Sequence, residues 1–381
     1  MRESGRTLRQ LTAAAMAWRP GQVWQRSPGD RSRNLASIAA AAVRDGHAAG
    51  LAVGYCLPIK PPITLGYGKA NLETGSPVNG DTVFRIASCT KQFTAAAILL
   101  LAERGKLAVQ DSLSTFFSDF PRGDEVTLHH LLTHTSGLRD YVFGGLPEGG
   151  WPDWQKQAGR HRLLARMKTL YDFDPGTHWA YSNSGYALLG EVIECVSGDS
   201  WIDFVTDNLL LPAGMTATLL EDPARIIPRR AAGYSRDEGK RGAFRNAPFG
   251  GVSAAEGGLC STAGDLLRWN RALYGGRLLS EASLRRMTAV ATIKDGTPVG
   301  WAHFGGDTER PPFVTQADYG YGLEISRMFG HRVFWHSGGI NGFNAIMLHF
   351  PDARADLVLL ANTDNGAAPI FEPMLRALLL V

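Results

Sequence analysis

The sequence predicts a mixed α/β fold in which one antiparallel sheet, flanked by helices, is assembled from both chain ends and carries an inserted, mostly helical lobe. Two observations carry this. Short apolar segments separated by turn residues occur around residues 50–68 and again after 315, whereas residues 111–290 show mainly helical spacing. Helical patterns also stand outside both strand groups, at 34–46 and at 370–381.

Taken in order, the first thirty residues are rich in Arg, Gly and Pro and read as an N-terminal extension, 1–30, ahead of a single domain over 31–381. The sheet lobe is expected from about 31–110 and 300–381, and the helical lobe from about 111–299. In "NLASIAAAAVRDG", Leu35, Ile38, Ala42 and Val43 recur at helical spacing and Gly46 is a stop. "GLAVGYCL" and "PITLGYGKA" suit adjacent antiparallel strands. "DTVFRIAS" reads as extended, and "CTKQFTAAAILLLAERGKL" as a helix running to Gly105, which places Ser88 at its start.

In the middle, "TLHHLLTHTSGL" predicts a short helix ended by Ser136 and Gly137. "SGYALLGEVIECVSG" predicts one stopped by Gly198, and "STAGDLLRWNRALYGG" one capped by Thr262. The strand pattern returns in "YGYGLEIS", "HRVFWHSG", "FNAIMLHFP" and "ADLVLLAN", followed by the closing helix "IFEPMLRALLLV". The first and last strands should then meet across a long sequence gap.

Composition narrows the function. The 381 residues are 44% hydrophobic, enough for a sizeable core, and 39 basic against 36 acidic residues give a charge of +3 without a block of either sign. That argues against nucleic acid and for a small-molecule partner. Four scattered cysteines read as free, mostly buried thiols. No stretch reaches the length of a bilayer span. The N-terminal "LTAAAMAW" lacks a persuasive cleavage site, which favours a cytoplasmic chain over a periplasmic or secreted one.

Three local clusters carry chemistry. In "FRIASCTKQF", Ser88 and Lys91 are three apart, so on a helix they share a face, and a lysine of lowered pKa would take the hydroxyl proton. The alternative is a serine cap and a solvated lysine. In "WAYSNSGYALLG", Tyr181 and Asn183 alternate just before a helix, where a phenol can relay a proton and a carboxamide can bind an amide. Packing and capping are the competing roles. In "FWHSGGINGF", His336, Ser337, Gly338 and Gly339 leave an apolar strand where absent side chains expose backbone N–H groups. A glycine turn capped by His and Ser fits the same string. His129, His130 and His134 lack the H-E-x-x-H pattern of a metal site and are read as structural, and G-x-S-x-G is absent.

In this order the three clusters resemble the active-site signature of the serine beta-lactamase and penicillin-binding-protein superfamily. The resemblance is to the class C branch, with its DD-peptidases, D-aminopeptidases and esterases, and runs from about residue 35 to the C-terminus. It implies a beta-lactamase/transpeptidase-like fold and a serine hydrolase of the esterase or amidase type, with weak beta-lactam reactivity, working through an acyl-enzyme without a cofactor or metal. The alternatives it implies are a DD-carboxypeptidase or D-aminopeptidase-type peptidase, a beta-lactamase, or a sensor that acylates without turnover. Carried over, Ser88 is the nucleophile, and Lys91 and Tyr181 manage the proton. The N–H groups of Ser88 and Gly339 form the oxyanion hole, Asn183 holds a substrate amide or helps to place Lys91, and His336, Ser337 and Gly338 line the substrate side, with His336 and Ser337 facing the leaving group or a substrate carboxylate. His336 stands where true class C beta-lactamases have lysine, and a neutral imidazole anchors a carboxylate less firmly than an ammonium.

Overall fold

The computed structural model describes residues 31–146, 159–237, 240, 242–248, 251, 254–300 and 310–380. The expected extension over 1–30 lies outside these residues.

Strands β1 (Gly50–Cys56) and β2 (Ile63–Gly68) pair antiparallel, as expected. The short β3 (Phe84–Arg85), β4 (Leu219–Leu220), β5 (Tyr234–Arg236), β6 (Phe244–Asn246) and β7 (Leu259–Ser261) form two small satellite sheets. The closing segment supplies β8 (Val314–Tyr319), β9 (Glu324–Met328), β10 (His331–Ile340), β11 (Phe343–Phe350) and β12 (Ala355–Ala361). The main sheet has seven strands in the order β2-β1-β12-β11-β10-β9-β8, so the first and last strands meet at the β1–β12 pairing.

Both faces of this sheet are covered, which is why β12 is buried along its whole length and reads as a continuous apolar run. The pleat divides its side chains. Leu357 and Leu359 face helices α1 (Arg31–Arg44) and, at the C-terminus, Phe371–Leu379, in a core that includes Leu35, Met374 and Leu375. Val358 and Leu360 face the other way, in a core with Phe93, Ile98 and Leu267. Truncating such residues to alanine typically costs about 2–5 kcal/mol.

The second core centres on α2 (Lys91–Glu103), whose ten buried residues leave it almost without a solvent face. Beside it lie α3 (Leu128–Leu132), α4 (Asn183–Ser197) and α5 (Ala263–Tyr274). Thr262 caps α5 by accepting from the Asp265 N–H, and Gly198 stops α4 at φ 82°, both as expected.

Several expectations need correction. α3 ends at Leu132, before Ser136 and Gly137, because His134 adopts a left-handed φ of 61°. "YGYGLEIS" is not one strand: Tyr319 closes β8, Glu324 opens β9, and Gly322 at φ 69° turns the chain between them. "DTVFRIAS" contributes only Phe84–Arg85, which pairs with β7 rather than with the main sheet. Ser88 precedes the long helix, in a 3-10 turn over Ala87–Thr90.

Candidate active site

The turn that carries Ser88 is tied to Leu259 of β7 by two hydrogen bonds. The Ile86 N–H donates to the Leu259 carbonyl at 3.0 Å, and the Leu259 N–H donates to Thr90 Oγ1 at 3.2 Å. Ala87 sits at φ 45°, a left-handed conformation that costs an L-residue about 1–2 kcal/mol, and the next residue is Ser88. Ala87, Cys89 and Thr90 are buried while Ser88 stays partly open, so the turn presents one hydroxyl to solvent. Burial pushes the neighbouring Cys89 thiol up to about 12, which leaves it unreactive as a thiolate.

Lys91 is fully buried and its Nζ has three partners: Asn183 Oδ1 at 2.8 Å, the Glu256 carbonyl at 2.8 Å and Ser88 Oγ at 3.3 Å. A tetrahedral amine bonded to Cε with two N–H groups on fixed acceptors has one direction left. Here that direction faces Ser88 Oγ, occupied by a third proton in the ammonium and by the lone pair in the amine. Burial lowers the Lys91 pKa to about 7, with Glu256 and Asp140 partly opposing the shift. Both forms are therefore populated near neutrality.

Asn183 is fixed by Asp140, whose Oδ2 accepts from the Asn183 backbone at 2.7 Å and side chain at 2.8 Å. Asp140 Oδ1 accepts from the Val142 N–H at 2.7 Å, and the Glu256 carboxylate accepts from Tyr141 at 2.6 Å. Burial raises both carboxyls above their ordinary values. The Tyr181 ring lies 4.8 Å from Lys91 Nζ. Its hydroxyl feels Ser88 but closes no well-formed hydrogen bond with any described residue, and burial keeps it protonated, well above the usual phenol range.

From the opposite wall, β10 continues through His336–Ile340 beyond its last pairing with β9, at Trp335–Glu324, leaving that stretch paired, among the described residues, only with β11. Gly338 packs directly on the turn that carries Ser88, where a Cβ would lie 2.1 Å from the Ile86 carbonyl oxygen. Ser337 is partly open and Gly339 exposed.

His336 is 3% exposed and occupies both ring nitrogens within the protein. The Ser182 N–H donates to His134 Nδ1 at 3.2 Å, so His134 carries its proton on Nε2 and donates to the Tyr319 hydroxyl at 3.1 Å. Tyr319 then donates to His336 Nε2 at 3.1 Å, and His336 Nδ1–H donates to the Ser337 carbonyl at 2.5 Å. Every link in this chain has one direction. Burial lowers the His336 pKa to about 3 and holds His134 well below its ordinary value, so both rings are neutral. His336 thus joins β10 to the Tyr181–Asn183 loop, and its ring does not present a free nitrogen to a substrate carboxylate.

Tyr319→Phe removes both phenol links and leaves two buried imidazole nitrogens unpaired, a cost of about 1–3 kcal/mol for each. A lower Tm and an approximately tenfold lower kcat are expected. Nitrogen NMR of the wild-type protein should show His336 as the Nδ1–H and His134 as the Nε2–H tautomer; a doubly protonated His336 at pH 6 contradicts the assignment.

The structure therefore brings Ser88, Lys91, Tyr181 and Asn183 together against the Gly338–Gly339 end of β10. Sequence reasoning missed Asp140, Glu256, His134 and Tyr319, although His134 lies in the quoted string "LLTHTSGL". His129, His130 and His134 diverge. His129 meets Tyr321 at 2.7 Å, His130 accepts from the Thr127 N–H at 3.2 Å, and His134 enters the relay.

The fold and this arrangement define a member of the serine beta-lactamase and penicillin-binding-protein superfamily, in its class C-like branch. The Beta-lactamase family model matches residues 6–380, and the chain belongs to that family. It is 30% identical over 326 residues to penicillin-binding protein 4* of Bacillus subtilis (strain 168), covering 78% of this chain and 65% of the relative. It is 29% identical over 310 residues to the D-aminopeptidase of Brucella anthropi, covering 80% and 54%. The chain thus spans between about half and two thirds of the length of these curated relatives. Among solved structures, the D-amino acid amidase from Ochrobactrum anthropi SV3 complexed with L-phenylalanine amide superposes with a TM-score of 0.72 at 25% identity, covering 92% of this chain and 98% of that one. The penicillin-binding protein from Bacillus halodurans gives 0.71 at 28% identity, covering 89% and 97%. Among the described residues no helix is long and apolar enough to cross a membrane.

Proposed function

We propose that this chain is a serine hydrolase that cleaves small amides through an acyl-enzyme on Ser88, with D-amino acid amides or short D-aminoacyl peptides as the substrate class. The observation that carries the reading is the Lys91 amine, anchored by Asn183 and Glu256, directed at Ser88 Oγ and titrating near 7. The D-aminopeptidase and D-amino acid amidase relatives favour amides over a broad esterase role.

In this mechanism neutral Lys91 takes the Ser88 proton as Oγ forms its bond to the substrate carbonyl carbon. The carbonyl oxygen becomes an oxyanion, received by the N–H groups of Ser88 and Gly339. On collapse the C–N bond breaks; Tyr181 gives its proton to the leaving nitrogen and recovers one from the Lys91 ammonium. Asn183 orients Lys91 and meets the substrate amide. Water then repeats the sequence on the acyl-enzyme with Lys91 as base, releasing the acid and Ser88.

The test is turnover of D-phenylalanine amide, D-alanyl peptides, a nitrophenyl ester and a chromogenic cephalosporin, with Ser88→Ala as control. Activity on the D-amides that disappears in the control is expected, with a transient +acyl mass on the wild-type protein. Equal rates for wild type and control on every substrate would refute the reading.

A further inference from the structure

The Gly339 N–H belongs to the same peptide group as the Gly338 carbonyl, so whatever aims that carbonyl also aims the N–H. In a trans peptide the two point in opposite directions. Strand pairing sets which way each faces. The two-residue turn Asn341–Gly342 joins Ile340 to Phe343, and such a turn is closed by a hydrogen-bonded pair. Bonded and non-bonded pairs alternate along an antiparallel ladder, which makes Gly338–Ala345 a bonded pair as well. The Gly338 carbonyl therefore faces β11, and the Gly339 N–H faces the edge beyond Trp335, where pairing with β9 has ended.

One side chain reinforces this arrangement. Asn344 Nδ2 donates to the Gly338 carbonyl at 3.1 Å, while its Oδ1 accepts from the Ala367 N–H at 3.1 Å. A backbone N–H can only donate and a carbonyl only accept, so these two partners hold the carboxamide in one orientation. Asn344 is 1% exposed and shares its face of β11 with Ile346 and Leu348, in the core that holds Leu35 and Met374. Gly338 shows the other face of the sheet to Ile86 of the Ser88 turn. Asn344 thus reaches the peptide from the side opposite Ser88. A carbonyl with two donors resists the peptide rotation that consecutive glycines would otherwise allow, and its polarisation strengthens the N–H behind it.

We propose that Asn344 is a positioning residue of the oxyanion hole, fixing the Gly338–Gly339 peptide so that the Gly339 N–H stays aimed at the oxyanion. This rests on the acyl-enzyme reading above and on its choice of Gly339 as a donor.

Sulfur separates the oxyanion from the rest of the site. A nitrophenyl ester and its thionoester, with C=S in place of C=O, differ at the atom that meets the two N–H groups, and sulfur is a weak acceptor. In Asn344→Leu, kcat/KM on the ester should fall about tenfold or more, a fraction of the cost of losing a whole oxyanion donor. On the thionoester it should stay within about threefold of wild type, because that substrate draws little on the donor. A merely structural fault lowers both rates alike, so an equal loss on the two substrates overturns the proposal, as does an unchanged rate on the ester. Asn344→Ala leaves a cavity in place of a bulkier side chain and supports the same comparison if the leucine variant does not fold. Failure of the acyl-enzyme reading looks different: the wild-type protein then hydrolyses the ester no faster than Ser88→Ala does, and Asn344 has no oxyanion to serve.

Discussion

Replacing Lys91 with methionine is expected to lower kcat/KM on a D-amino acid amide by about 10³-fold or more, because it removes the group proposed to accept the Ser88 proton. Methionine preserves most of the buried volume while leaving Asn183 Oδ1 and the Glu256 carbonyl without their donor. The wild-type pH profile tests the same assignment. With Lys91 at about 7, its ammonium form dominates below that value and has no lone pair for Ser88, so kcat/KM should fall about tenfold per unit on the acid side. Tyr181, held above the usual phenol range, and His336, at about 3, do not titrate on that limb. Stability should follow the same group with a defined sign. Lysine ordinarily titrates at 10.5, so between about 7 and 10.5 the unfolded chain binds more protons than the folded one. Stability rises with pH across that window. Urea denaturation of wild type and Lys91→Met at several pH values should show this slope in the first protein and its loss in the second. A wild-type limb displaced to 9 or above would remove Lys91 as the neutral base.

The parts of this site that the sequence discloses are those whose members lie close along the chain. Ser88 and Lys91 are separated by one helical turn, Tyr181 and Asn183 by one residue, and His336–Gly339 are consecutive, so short strings hold each cluster together. Their supports are dispersed. Asp140 reaches Asn183 across 43 positions, and Glu256 meets Lys91 across 165. The direction of the His134–Tyr319–His336 chain depends on a backbone N–H at Ser182, which no residue pattern encodes. Strand β8 was missed for a related reason: in "VTQADY" polar and apolar residues fall on both alternating faces, because it is an edge strand that is only partly buried. β12, by contrast, is seven buried residues in a row and is plain from composition. Even where the sequence names His336, it does not say that both ring nitrogens already have protein partners.

The close contact of Gly338 with the turn that carries Ser88 leads to the second large effect. In Gly338→Ala the new Cβ would lie 2.1 Å from the Ile86 oxygen, 3.0 Å from its carbonyl carbon and 3.2 Å from the Ala87 Cβ. Two of these atoms are backbone, and a Cβ has no rotamer by which to escape them. That carbonyl also accepts the Cys89 N–H at 3.2 Å and so helps to close the turn that presents Ser88. Relief requires β10 and the turn to separate by about 1 Å, a displacement large enough to cost about 10²-fold in rate. It moves the Gly339 N–H away from the Ser88 N–H, the two donors proposed to share one oxyanion. We expect kcat/KM to fall by about 10²-fold or more and stability by about 1–3 kcal/mol, the usual penalty of overpacking. Gly257 supplies the control, since it faces Ala87 of the same turn but a Cβ there would find its nearest atom at 3.6 Å. Gly257→Ala should keep activity within about threefold of wild type, as expected of a substitution that fits without a clash. Wild-type rates in Gly338→Ala would show that the site does not depend on this approach of strand to turn.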